Sequence, residues 1–198
     1  MLEWTRALLA LGLAFPAAAS TDLSLDRRGM PMGSDAEPLA CPSTAGDGRY
    51  VTTWSGADRR VQGTCRGGLA VGTWRAWHSN GRVRWDTTFA AGLLEGEWRT
   101  WYENGTLQSQ GTFEEGQAHG RFTYWYRDGT LRSRGRWLEG REAGCWREHR
   151  EDGSRYRRGA YVDGVRVGRW VIWEPDGSRR RVAYGSAPSQ GRCLFPWF

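Results

Sequence analysis

The chain has 198 residues, enough for one domain or one repeat array, and 39% of them are apolar, a share too low for a thick globular core. It holds 13 tryptophans and 28 glycines, and this much glycine within segments argues against long helices. The formal net charge is +6, and because lysine is absent, every basic side chain other than histidine is an arginine.

The first element in chain order is an apolar segment typical of a secretory signal. Residues 1–19 contain one arginine, an apolar run from Ala7 to Phe15, a proline and three alanines before Ser20. The run is shorter than the roughly 20 residues that a membrane-spanning helix needs. We therefore predict cleavage near Ser20 and an exported chain, periplasmic or secreted, with a buried N-terminal helix as the alternative. Residues 20–47, rich in Asp, Ser, Pro and Gly, are predicted to form a flexible leader.

Four cysteines in an exported chain predict two disulfides. Because none of the cysteines lies in a Cys-x-x-Cys pair, a zinc site is disfavoured. Three pairings are open, and we favour the one that is local in sequence, Cys41 with Cys65 and Cys145 with Cys193. Each bridge would then hold one end of the region between them.

That region is an internal repeat with a period of 24 residues. Three glycine columns share the period, beginning at Gly68, Gly72 and Gly81, and large aromatic residues recur in two further columns, beginning at Trp74 and Trp77. The first aromatic column contains Trp74, Trp98, Phe122, Trp146 and Trp170. The second contains Trp77, Trp101, Trp125 and Trp173.

The turns predict the secondary structure of each repeat. Five Asn-Gly or Asp-Gly pairs, of which Asn80-Gly81 is the first, favour two-residue type I′ hairpins, and weaker signals such as Ala91-Gly92 occur at the other end. Each repeat should then hold one strand of about 11 residues and one of about 9, joined in an antiparallel meander. A two-residue turn places Trp77 opposite Arg84 and Trp98 opposite Gly111. A ring that faces a glycine, such as that of Trp98, would then lie across it.

The same register separates the side chains onto two faces, because neighbours along a strand alternate. One face carries aromatic residues such as Trp74, Trp98 and Phe113 and is predicted to be apolar and uncovered. The other is mostly polar and arginine-rich, with the Trp77 column running through it. An uncovered apolar face would favour a partner, a homodimer or strong curling of the sheet.

The segment GTFEEGQAHGRFTYWYRDG, which begins at Gly111, resembles the MORN repeat, in which an aromatic, a glycine, a His-Gly pair and a further glycine occur at similar spacing. It is most similar to the bacterial variant that carries W-x-x-W followed by N-G or D-G. The resemblance extends over residues 48–184. It implies an all-β fold, an elongated single-layer antiparallel meander of about six two-stranded repeats, used for protein or lipid contacts and scaffolding. Residues 185–198 are predicted to form a tail that caps the last repeat.

Catalytic chemistry is not indicated by the sequence. The three histidines fall in unrelated columns of the repeat, with no serine or cysteine beside them in a recognisable arrangement. No phosphate-binding or dinucleotide-binding glycine motif is present. We therefore predict that the protein is not an enzyme and uses no cofactor or metal.

The arginines are concentrated in the second half of the repeat array. Residues 121–198 hold 17 arginines and nine acidic residues, a net charge of +8, whereas residues 20–120 hold ten and twelve. This asymmetry favours anionic partners, although an arginine-rich solvated face is the simpler interpretation. The candidate binding residues are Trp77, Trp101, Trp125, Trp173, Arg155, Arg157, Arg158, Arg179, Arg180 and Arg181.

Two functions remain open from the sequence. The first is a non-catalytic scaffold of the cell envelope or extracellular space that binds a partner protein through its repeat sheet. The alternative is binding of an envelope glycan or an anionic lipid headgroup through the Trp77 column and the C-terminal arginines. Nucleic acid is disfavoured as a partner by the export signal.

Overall fold

The structure is a computed structural model that describes residues 40–41, 46–53, 59–185 and 193. Within these residues every regular element is a strand, and none of them belongs to a helix that could cross a membrane. The predicted signal peptide, most of the predicted leader and the predicted capping tail apart from Gly185 and Cys193 lie outside the described residues.

The twelve strands form one open antiparallel sheet in which each strand pairs with its neighbours in the chain. They are β1 (Gly48–Thr53), β2 (Arg59–Arg66), β3 (Leu69–Trp77), β4 (Val83–Ala90), β5 (Leu93–Trp101), β6 (Leu107–Glu114), β7 (Gln117–Trp125), β8 (Leu131–Leu138), β9 (Arg141–His149), β10 (Arg155–Val162), β11 (Val165–Trp173) and β12 (Arg179–Tyr184). Two successive strands make one 24-residue unit. The prediction of a single-layer antiparallel meander is confirmed.

The structure has two kinds of turn, although the sequence predicts two-residue turns at both ends of the strands. The two-residue type I′ turns are the ones with the weaker signal, because both central residues have positive φ at Ala91-Gly92 (47° and 83°) and at Glu139-Gly140 (50° and 73°). At the Asn-Gly and Asp-Gly end, glycine alone has positive φ, and Gly105 N donates to Tyr102 O in a wider loop. The prediction of type I′ turns at these five sites is therefore wrong.

The wider loops shift the register only beside the turn. Trp98 pairs with Gly111 and Phe122 with Gly135, as predicted. Trp77, however, pairs with Val83 rather than with Arg84, because a bulge follows Ala76.

The loops at the Asn-Gly and Asp-Gly end contact one another from repeat to repeat. Asn104 Oδ1 accepts from Thr106 N within its own loop, and Asn104 Nδ2 donates to Arg127 O in the next loop at 2.7 Å. The Tyr102 hydroxyl donates to Trp125 O at 2.9 Å. These side chains connect each repeat to the following one, in addition to the strand hydrogen bonds.

The aromatic rings cover glycines, but not the glycines that their backbones face. A Cβ added at Gly63, Gly135 or Gly159 would lie 2.0 to 2.1 Å from the ring of Trp74, Trp146 or Trp170, respectively. Each of these indoles then donates its N–H, at 3.2 Å, to the carbonyl of the residue after the covered glycine. The ring therefore lies over the glycine of the preceding strand, and the prediction that it covers the glycine it faces is wrong.

A second glycine column bends the strands. Gly120 has a φ of 80°, and no atom lies within 4 Å of a Cβ placed there, so no ring rests on it. Beside it, Gln110 pairs with Thr123 but Thr112 pairs with His119, so three residues of β7 oppose Gly111 alone. Such a bulge bends the strand and increases its local twist.

The aromatic face is closed within the chain. Trp74, Trp85, Trp98 and Phe122 are completely buried, although the sheet is a single layer. Ring neighbours along this face have centroids 5.1 to 6.4 Å apart, so each ring shields the next. A flat layer would leave the rings exposed, and we attribute their burial to the bends at the bulges. The prediction of an uncovered apolar face is wrong, whereas the homodimer is not tested by the structure and stays a prediction.

The two predicted disulfides are present, Cys41–Cys65 and Cys145–Cys193. Cys65 occupies the core column that holds Phe89 and Phe113 in later repeats, and Cys41 covers it, so this bridge closes the first end of the core. Cys145 lies in an exposed column one residue before the core Trp146. The bridges fit an oxidising, exported environment.

Candidate binding surface

The outward face, which is the side of the sheet opposite the aromatic core, carries a continuous row of paired residues, here called the central row. One residue from each strand between β2 and β12 lies directly opposite the next. The row consists of Gln62, Arg75, Asp86, Arg99, Gln110, Thr123, Arg134, Arg147, Arg158, Val171 and Arg181.

The N-terminal part of the central row alternates in charge. Asp86 lies between Arg75 and Arg99, and Arg75 Nε donates to Asp86 Oδ2 at 3.1 Å. Arg99 also contacts Glu97 at 2.5 Å. Opposite charges facing each other across strands stabilise a sheet.

The C-terminal part of the row is basic. Arg134 pairs with Arg147 and Arg147 pairs with Arg158, so three arginines adjoin across β8, β9 and β10. Arg181 follows after Val171. No carboxylate belongs to the row between Arg134 and Arg181, all of whose members are described.

Two arginine side chains lie over the ring of Trp173 beside the row, and a third arginine pairs with Trp173 on the next strand. The guanidinium carbons of Arg155 and Arg158 lie 5.7 and 5.4 Å from the centroid of the Trp173 ring, and Arg179 pairs with Trp173 across β12. The structure thus brings together four of the predicted binding residues, Trp173, Arg155, Arg158 and Arg179. We call Arg134, Arg147, Arg155, Arg158, Arg179 and Trp173 the arginine cluster.

The electrostatics of two groups reflect this concentration of charge. Burial lowers the pKa of His149, and the charges of Arg155, Arg147 and Arg134 lower it further. Burial likewise lowers the pKa of Arg158, again with contributions from neighbouring arginines. An anion bound beside these two groups would favour their charged forms and so raise both pKa values.

The other predicted tryptophans lie apart from the arginine cluster. Trp77, Trp101 and Trp125 are half-buried at the ends of β3, β5 and β7. Trp101 lines a shallow depression together with His78, Arg84, Tyr102, Glu103, Gln108 and Arg127. The backbone carbonyl of Trp101 accepts a hydrogen bond from His78 Nε2 at 2.8 Å, so this column also connects repeats.

Two predicted arginines lie on the other side of the sheet. Arg157 forms an ion pair with Glu148, with Nε 2.8 Å from Oε1, and lies over the core ring of Trp170. Arg180 lies opposite Ile172, one residue out of phase with Arg179, and contacts Glu174 at 3.2 Å. The structure therefore does not bring Arg157 or Arg180 to the outward cluster.

Two members of the cluster were missing from the residues predicted by sequence, Arg134 and Arg147. The period does place Arg147 in the column of Arg75 and Arg99, and Arg134 in the column of Asp86. That Arg134 and Arg147 face each other depends on the bulge between Arg134 and Arg136 in the β8–β9 pairing. Among the described residues, no group of His, Cys, Asp and Glu side chains is arranged to hold a metal ion.

Comparison with known proteins gives one family match. The model of the MORN repeat variant matches residues 94–115, which include most of β5 and all of β6. No curated protein matches the chain significantly.

Among the solved structures that match the chain is one described as "Crystal structure of GtfA/B complex bound to UDP and GlcNAc". It is 9% identical, covers 72% of this chain and 28% of that chain, and has a TM-score of 0.26. The chain therefore spans under a third of the length of that protein, and so low a score supports no conclusion about this one. The family match and the twelve-stranded meander together identify residues 94–115 as a MORN repeat of the variant type, within a sheet built on the same 24-residue period.

Proposed function

We propose that the protein is an exported, non-catalytic scaffold that binds a partner protein through the outward face of its sheet. The residues of the aromatic face are buried in the core. The outward face is therefore the broad surface of the described strands that a partner can reach. Repeat sheets of this kind present extended surfaces that suit macromolecular partners.

The observation that carries this proposal is the unbroken register of the central row. A row that crosses eleven strands presents side chains at a regular interval of about 4.8 Å. Enzyme sites in contrast are concave pockets with a few convergent polar groups. The depression at Trp101 is shallow and has no arrangement of nucleophile and base among its described residues.

The exported location is supported by the two disulfides, since such bonds persist in oxidising compartments. Bridge formation can be measured directly. Alkylation of free thiols before and after reduction, on protein isolated from its native host, should show four cysteines that become reactive only after reduction.

Site-specific crosslinking tests the scaffold function. A photo-crosslinking residue placed at Gln110, at the centre of the outward face, should give one discrete protein adduct in the native host. The same residue at Glu103, which is exposed in a loop at the strand ends, serves as the control. Absence of an adduct at Gln110, or the same adducts from both positions, would count against binding through this face.

A further inference from the structure

The two disulfides differ in how far solvent reaches them. Cys65 is 1% exposed and Cys41 is 8% exposed, and both belong to the aromatic core. Cys145, in contrast, is exposed on the outward face, and its partner Cys193 is half-buried. A disulfide that reaches the surface is open to attack by thiols and is more easily reduced than a buried one. The Cys145–Cys193 bridge is therefore the one that external thiols can attack.

The Cys145–Cys193 bridge lies outside the core packing. Ala160, which pairs with Cys145 across β10, is buried without belonging to the core cluster, which agrees with Cys193 covering it from the outward side. Cys193 Sγ lies 3.4 Å from the carbonyl oxygen of Gly159, the residue before Ala160. Because β9 and β10 are joined by their own antiparallel ladder, we expect the sheet and its core to stay folded when the bridge opens.

The surroundings of Cys145 on the outward face are positively charged. Arg147 lies two residues further along β9, and Arg158 pairs with it on β10. Burial lowers the pKa of Arg158, and the charges of Arg155, Arg147 and Arg179 lower it further. Arg147 and Arg158 have additional contacts, but the charges that contribute to this shift are all positive, so the field beside Cys145 is positive.

A positive field favours reduction of this bridge in two ways. The disulfide is neutral, whereas the Cys145 thiolate that reduction produces is stabilised by nearby cations, so the reduced form gains more from the arginines than the oxidised form. The same field attracts anionic thiols to the surface and raises the rate at which they meet the bridge. Small thiols that carry negative charge are therefore the favoured reactants.

We propose that Cys145–Cys193 is a redox-active disulfide that exchanges with small anionic thiols such as glutathione and is thiolated at Cys145. The small thiolate attacks Cys145 Sγ, the more exposed sulfur, so that a new S–S bond forms, the Cys145–Cys193 bond breaks and Cys193 leaves as a thiolate. A second small thiolate then attacks the sulfur of the first, the two leave as their own disulfide, and Cys145 is released as a thiolate. The protein has gained two electrons, and each thiolate can take up a proton. This site is independent of the protein contacts proposed above and stands if those contacts fail.

Glutathione buffers of graded redox ratio test the difference between the two bridges on the full, oxidised chain. After acid quenching and alkylation, mass spectrometry reports each cysteine separately. Cys145–Cys193 should be half reduced at a ratio of squared glutathione to glutathione disulfide at least ten-fold lower than Cys41–Cys65 requires, and the glutathione adduct should appear on Cys145. Equal reduction of both bridges, or an adduct on Cys193 instead of Cys145, would overturn the proposal.

Thiols of similar size and different charge test the role of the arginines. The rate at which the Cys145–Cys193 bridge opens is measured with 2-mercaptoethanesulfonate, 2-mercaptoethanol and cysteamine, and each rate is divided by that thiol's rate with a neutral reference disulfide. The corrected rates should fall in the order sulfonate, alcohol, amine at low salt, and the differences should disappear at high salt. Equal corrected rates at low salt would show that the arginines do not select the thiol.

Single substitutions locate the charges that matter. One unit charge at about 10 Å in water changes such a rate about two-fold for each unit of charge on the thiol, so Arg147→Gln should lower the preference for sulfonate over amine about four-fold. Arg147→Lys keeps the charge and should restore the preference, which a purely structural role would not explain. Arg99→Gln is the matched control, since Arg99 lies in the same column two repeats earlier and should leave the preference unchanged.

Melting temperatures of the three variants identify any change in folding, and the salt dependence of the wild type tests the charge effect without a substitution. The proposal is overturned if Arg99→Gln lowers the preference as much as Arg147→Gln does, or if Arg147→Lys behaves like Arg147→Gln.

Discussion

The ring of Phe122 lies on Gly111, a residue of the preceding strand that pairs with Trp98 rather than with Phe122. A Cβ on Gly111 would come within 2.3 Å of that ring. The glycine is therefore required by the ring from the neighbouring repeat, and the two repeats cannot be packed independently.

Gly111→Ala should destabilise the protein by about 1–3 kcal/mol, because an extra methyl in a filled core displaces the ring or the backbone. The denaturant midpoint measures this loss. Gly46→Ala is the control, since Gly46 is exposed and nothing lies within 4 Å of an added Cβ. Equal midpoints for the two variants would mean that Phe122 does not rest on Gly111.

Substitutions at turn residues should change the stability of the protein in opposite directions at the two kinds of turn. Glu139 has a φ of 50° in a type I′ turn, and asparagine adopts this conformation more readily, so Glu139→Asn should stabilise by about 0.5–1 kcal/mol. Asn104→Gly should destabilise by a similar amount, because it removes the hydrogen bonds to Thr106 N and Arg127 O. Thermal melting of both variants checks the signs. If both changes were stabilising, the assignment of the two turn types would be wrong.

The ion pair between Glu148 and Arg157 should be replaceable by the pair of hydroxyl residues found at the same positions in another repeat, with little loss of stability. Glu148 and Arg157 occupy the positions that Thr100 and Ser109 hold two repeats earlier, where the two hydroxyls lie 2.7 Å apart. Glu148→Thr alone leaves the arginine, about a fifth exposed, without its carboxylate and should cost about 1–3 kcal/mol.

The double variant Glu148→Thr with Arg157→Ser should recover most of that loss, because neither charge is then left in the sheet. Urea unfolding of the wild type, both single variants and the double variant gives the coupling energy. Strictly additive losses would show that the two side chains do not depend on each other.

Stability should fall as the pH is lowered through the titration of His149. Burial and the charges of Arg155, Arg147 and Arg134 lower the pKa of His149 in the folded chain. In the unfolded chain the pKa is about 6.5, so the unfolded state takes up the proton first as the pH falls below that value. The penalty grows until the pH passes the folded pKa and is absent above neutral pH.

His149→Gln should remove the dependence of stability on pH that His149 causes between about pH 7 and pH 5. Denaturant midpoints measured across that range provide the comparison with the wild type. The pKa of Asp128 is also lowered, by its hydrogen bonds from Thr130, and its contribution to stability is lost only at more acidic pH. An unchanged slope in His149→Gln would assign the pH dependence to other groups.

The sequence by itself determined the strands, their order and most of their pairing. A strict 24-residue period with glycine at the turns leaves few alternatives, and pairs such as Trp98 with Gly111 follow from counting outward from a turn. Of the three possible cysteine pairings, the one favoured from the sequence, which is local in the chain, is the one that the structure contains. These features are local, since each depends on turn chemistry and on the alternation of side chains along a strand.

The tertiary structure alone decided which glycine each ring covers, the closure of the aromatic face and the composition of the arginine cluster. Counting from the turn at Glu139-Gly140 would place Arg147 opposite Arg132, but the bulge in β9 moves it opposite Arg134. The bulge depends on the positive φ of Gly144 and on the packing of Trp146 over Gly135. Because that packing involves residues of neighbouring strands, no single repeat contains the information that places these arginines together.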